Sequence, residues 1–111
     1  MELAQIKCTP YKTGLPPLIR KEMMDLIGRV QGWSLHDGHL CRTFTFPDAA
    51  TCIAFISEIA GFAAGEGHFP DLCMKEGRFV EVSFYTYPAG GLTLNDFIMA
   101  QKLNDRARVR Q

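Results

Sequence analysis

The chain has 111 residues, 47% of them hydrophobic and 22% charged, which suits a single domain over residues 1–111 with a core that needs no staples. Twelve Lys+Arg balance twelve Asp+Glu, so the formal net charge is zero, and direct nucleic-acid binding, which relies on a basic excess to neutralise phosphates, is disfavoured. No apolar run is expected to span a membrane and Met1 to Tyr11 lacks a secretory layout, so a cytoplasmic protein without a membrane partner is expected.

Residues 1–15 read as irregular, with Pro10 and Gly14 as breakers. Pro16-Pro17 are expected to open a first helix. Ile19, Met23, Leu26, Ile27 and Val30 share its apolar face, which Met24 is expected to join, and Gly28 and Gly32 end it. Trp33 reads as core at the start of a strand. Asp37-Gly38 between two alternating runs predicts a tight hairpin turn. In the second run Leu40, Phe44 and Phe46 fall on one face, and Cys41, Thr43 and Thr45 on the other.

Asp48 is the expected N-cap of a second helix. Cys52, Phe55, Ile56, Ile59, Phe62 and Ala63 repeat at helical spacing, and Gly65 and Gly67 close it. A second hairpin spans Leu72 to Tyr87 and turns near Glu76-Gly77; Val80, Val82 and Phe84 form its buried face. Thr93-Leu94-Asn95-Asp96 reads as a capping box with Asp in the Glu position, opening a helix to about Asn104. Arg106, Arg108 and Arg110 beyond it read as a solvated basic end. The fold class is therefore α+β, a four-stranded antiparallel sheet from two hairpins with helices on one face, in the order α-ββ-α-ββ-α.

Cys8, Cys41, Cys52 and Cys73 are widely spread, without a C-x-x-C pair. They read as reduced thiols, and zinc spacing is absent. His36 and His39 straddle a tight turn without further ligands and read as exposed turn residues.

Several strings resemble one family. Gly32-Trp33-Ser34-Leu35 with Leu40 to Phe46, Glu66-Gly67-His68-Phe69-Pro70-Asp71, and Ala89 to Ile98 are similar to segments of the pterin-4a-carbinolamine dehydratases, as is Cys8-Thr9-Pro10 with Gly14 to Leu18. The resemblance covers nearly all of residues 8 to 105. It implies removal of water from 4a-hydroxytetrahydropterin to give the quinonoid dihydropterin, which recycles tetrahydrobiopterin. No metal or organic cofactor is implied. Homodimers or homotetramers are, and the fold also serves in other members as a protein-binding or assembly module.

That dehydration must protonate a leaving hydroxyl and deprotonate the adjacent ring nitrogen, work suited to histidine. The resemblance places site histidines at three positions. Here His68 matches the first, Phe69 stands at the second and Tyr87 at the third, after Thr86; Ala64 occupies a position that is acidic in the family. His68 and Tyr87 are the candidate catalytic residues, and Phe69, Pro70, Thr86 and Asp96 the candidate pterin contacts. Phe69 can stack on a flat ring, and Tyr87 can donate a hydrogen bond but titrates ordinarily near ~10. Asp96 also reads as a plain acid in the first turn of a helix. These replacements imply either weakened dehydratase activity or a non-catalytic protein-binding role.

Overall fold

The computed structural model describes residues 3–9 and 16–110, with side chains as far as Ala107. Three helices, α1 (Arg20–Ile27), α2 (Ala49–Glu66) and α3 (Leu94–Arg110), alternate with four strands. The strands are β1 (Ser34–His36), β2 (His39–Thr45), β3 (Asp71–Lys75) and β4 (Phe79–Phe84). All four form one antiparallel sheet in the order β1-β2-β4-β3. The α-ββ-α-ββ-α order matches the expectation, and a short 3₁₀ turn over Leu3–Gln5 precedes it.

Turn chemistry sets the register. Asp37 and Gly38 both take positive φ, 51° and 79°, the left-handed pair that a two-residue hairpin needs for its twist to match the strands. Across the central seam Leu40 lies opposite Phe84 and Phe44 opposite Val80. Period-two alternation therefore sends Leu40, Phe44, Val80, Val82 and Phe84 to one face, where all are buried. Helix α2 starts on Asp48, whose carboxylate accepts from the Thr51 N–H (2.8 Å) and hydroxyl (2.7 Å). Its buried stripe is Cys52, Phe55, Ile59 and Ala63. Phe55 packs against Phe44 and Phe46 with ring centroids 5.1 and 4.9 Å apart. Trp33 is buried, and its indole N–H donates to Asn104 Oδ1 at 2.7 Å.

Four local expectations need correction. Helix α1 begins at Arg20, not at the proline pair. The Leu18 N–H is drawn to the Leu92 carbonyl (2.8 Å), and Ile19 stays extended with its N–H donating to Glu22 Oε1 (2.9 Å). Met24 is exposed, so only Met23 packs on the core. Gly65 lies inside α2, and Gly67 alone ends it. Helix α3 runs on to Arg110, and Arg106 is no solvated end: it pairs with Glu58 (3.0 Å) and stacks on the Phe62 ring (4.0 Å to the centroid). Among the described residues α2 is the helix long and apolar enough, by length and composition, to cross a membrane, an exception to the expectation that no run would reach that length. Cys52, Phe55, Ile59 and Ala63 of that helix are buried, whereas Ile53 on it is 54% exposed.

Candidate active site

Three chain segments meet beyond the C-terminal end of β4. The first leaves α2. Gly67 takes φ 75°, and its N–H donates to the Ala63 carbonyl at 2.8 Å, a left-handed cap that ends the helix and sets the direction of His68. The second is Thr86, bridged to Gly91 (N–H to carbonyl, 3.2 Å). The third is the first turn of α3.

Asp96 joins them. It is fully buried. Its Oδ2 accepts from the Thr93 N–H (2.8 Å) and the Thr86 hydroxyl (2.9 Å), and the Thr86 and Thr93 hydroxyls lie 2.8 Å apart. Its Oδ1 lies 2.5 Å from His68 Nε2. A carboxylate only accepts, so the His68 Nε2–H is the donor and Nδ1 is the nitrogen left for chemistry. Nδ1 meets no hydrogen-bond partner among the described residues. No buried side-chain nitrogen or oxygen among them lacks one, so Nδ1 is open to water. The imidazole lies nearly parallel to the Phe84 ring, at 10° and 5.9 Å between centroids. One carboxylate thus caps a helix, holds two threonines and orients a histidine.

The other candidates divide. Phe69 is 62% exposed, and Pro70 is half-buried just before β3. Tyr87 is equally exposed. Its hydroxyl donates to Asp71 Oδ2 (2.8 Å), three residues past His68, and its ring meets Tyr85 and His39 rather than His68. The hydrogen bond to Asp71, and then burial, push the Tyr87 phenol above its ordinary pKa. Segments 68–71 and 86–87 are thereby tied twice, through Asp96 and through Asp71. Ala64 is exposed on the last turn of α2. Glu66, the nearest acid, is turned to the Cys8 N–H (3.1 Å) and the Lys102 ammonium (2.9 Å).

His39 departs from the exposed-turn reading. It is half-buried, stacked on Tyr85 at 4.3 Å, with Nδ1 3.2 Å from the Ser83 hydroxyl. His36 is exposed, 3.5 Å from Asp37. No group of three His, Cys, Asp or Glu among the described residues is arranged to hold a metal ion, and the four cysteines are free thiols. The contact between Asp96 and His68, 28 residues apart, was not readable from spacing; the Thr-x-x-Asp pattern gave only the capping half of Asp96.

The profile of a family described as pterin 4 alpha carbinolamine dehydratase matches residues 16–106. A protein of Rubrobacter xylanophilus named provisionally as a pterin-4-alpha-carbinolamine dehydratase is 36% identical over 104 residues, 93% of this chain and 96% of its own length. A similarly named protein of Microcystis aeruginosa is 38% identical over 108 residues, 94% and 92% of the two chains. The crystal structure of a transcriptional coactivator/pterin dehydratase from Brucella melitensis superposes with a TM-score of 0.76 at 30% identity, over 82% of this chain and 98% of that one.

Proposed function

The chain belongs to the pterin-4a-carbinolamine dehydratase family, and from that premise we propose that it dehydrates 4a-hydroxytetrahydropterin with His68 as its single acid/base group. The observation that carries this reading is the His68–Asp96 pair with Nδ1 open to water. Nδ1 takes the proton from the ring nitrogen next to the carbinol carbon and returns it to the leaving hydroxyl, which departs as water. No net proton is consumed, so one base serves both transfers. Asp96 stabilises the imidazolium formed between them. Phe69 provides an aromatic wall for the pterin, Pro70 shapes its edge, Tyr87 closes the rim with its hydroxyl anchored on Asp71, and buried Thr86 acts behind the site by holding Asp96. No cofactor enters this scheme. A cytoplasmic homodimer or homotetramer completes the proposal.

The test is dehydration of freshly generated 4a-hydroxytetrahydropterin, followed by absorbance against the uncatalysed rate. His68→Ala is expected to lose a factor of about 10²–10⁴. An unchanged rate in that variant overturns the assignment.

A second reading has its own support. Phe69 and Tyr87 are both 62% exposed next to the site, and exposed apolar patches mark interaction surfaces. The Brucella protein carries the word coactivator in its name. A protein-binding role predicts no rate acceleration at all by the wild-type chain.

A further inference from the structure

A groove of about 500 Å³ opens where the end of α1 meets β2 and α3. None of its lining residues belongs to the His68–Asp96 network. Its lining includes Arg29, Gln31, Gly32, Arg42 and Asn104, and no acidic residue. Arg42 reaches it from β2, on the core side of the sheet. Its Nη1 donates to the Gln31 carbonyl (3.0 Å) and to Asn104 Oδ1 (2.5 Å), and its guanidinium carbon sits 4.4 Å from the Phe44 ring centroid. Gly32, with φ +84°, lies so close that a Cβ there would fall 2.8 Å from Arg42 Cζ.

Every one of these contacts is neutral. Among the described residues neither Arg42 nor Arg29 has a carboxylate within ion-pair reach. Charges withdrawn from water are ordinarily paired, and burial alone lowers the Arg42 pKa, the sign of a cation lacking a counter-charge. A guanidinium carries five donors. Both described hydrogen bonds use Nη1, which leaves the Nε–H and Nη2 edge unclaimed. That edge is the side-on fork that meets two oxygens of one oxyanion. Because Phe44, Gly32, Gln31 and Asn104 already fix the group, little ordering remains to oppose binding.

We propose that this groove is an oxyanion site, in which the Nε/Nη2 edge of Arg42 grips a phosphoryl or carboxylate group and Arg29 closes over it. The site is independent of pterin chemistry. It is tested on the whole protein by titrating the arginine Nε–H resonances in ¹H–¹⁵N spectra with inorganic phosphate, with acetate and with chloride at constant ionic strength. Arg42→Lys assigns the signal. A saturable shift of the Arg42 resonance by phosphate or acetate, and not by chloride, is expected. Stronger binding of phosphate identifies a phosphoryl ligand, and of acetate a carboxylate. Arg29→Gln is expected to weaken the interaction about fivefold. Asn104→Asp supplies the missing charge internally and is expected to abolish the shift while the remaining amide spectrum stays folded. An unmoved Arg42 signal, an equal response to chloride, or wild-type binding in folded Asn104→Asp overturns the proposal.

Discussion

Asp96→Asn is the sharpest test of how the site works, because one amide cannot satisfy every neighbour as the carboxylate does. The Thr93 N–H, 2.8 Å from Oδ2, can only donate. The amide oxygen must therefore take the Oδ2 place, and the NH₂ faces His68 Nε2. That nitrogen must then accept, so the neutral ring moves its proton to Nδ1, the nitrogen open to water. A ring presenting N–H there has no lone pair with which to take a proton. Loss of general-base action corresponds to about 10²–10⁴ in rate, and the same swap beside a catalytic histidine in serine proteases costs about 10⁴. Stability changes less. Three bonds to a charged acceptor become neutral ones, at up to about 1 kcal/mol each, so a loss of roughly 1–3 kcal/mol leaves a folded protein within the usual 5–15 kcal/mol of total stability. The assay pairs the dehydration rate with the imidazole tautomer read from long-range ¹H–¹⁵N NMR correlations. A folded Asp96→Asn protein with near wild-type activity, or with the His68 proton still on Nε2, refutes the reasoning.

Three further outcomes are expected. Phe55→Ala empties the space between Phe44 and Phe46 and is expected to cost about 3–5 kcal/mol, read as a lowered urea midpoint. Burial raises the Glu66 carboxyl, but the Lys102 hydrogen bond and the Cys8 N–H outweigh it, so its pKa is net lowered. Its stabilisation is thus complete above the ordinary glutamate range and lost as pH falls through the lowered value; Glu66→Gln is expected to flatten the acid limb of a stability–pH curve, and an unchanged limb contradicts the pairing. The Cys8 thiol is pushed up to about 12 by burial and then by Glu66, so a thiol reagent at pH 8 is expected to modify exposed Cys73 first and to reach buried Cys8 and Cys52 only on unfolding, as counted by mass spectrometry.

Features set by neighbours in sequence were legible. Asp37-Gly38 announced its turn, Asp48 its cap and Gly67 its helix end, because each acts on backbone within a few residues. The face pattern of β2 and β4 was legible because alternation is local too. What failed depended on distant groups. The start of α1 is set by a hydrogen bond from Leu18 to Leu92. The place of Arg106 is set by Glu58 and Phe62 on another helix. In the site, the family strings pointed to His68, yet only the fold shows Asp96 behind it, and only the fold turns the Tyr87 hydroxyl to Asp71. The expectations for residues 10–15, including Pro10 and Gly14, fall outside the described residues.

The strand order carries a consequence for how the chain finds its fold. β1–β2 and β3–β4 are hairpins that close over short turns, but the seam between them, β2 on β4, joins Phe44 to Val80 across the whole of α2. Local hairpins form in microseconds, whereas distant pairing must first meet the entropy of closing a long loop. Of the three pairings in the sheet, β2 on β4 therefore closes the longest loop, and α2 spans the gap between the two hairpins. The aromatic contacts of Phe44 and Phe55 lie at that junction, so the pairing most distant in sequence also sits at the centre of the core.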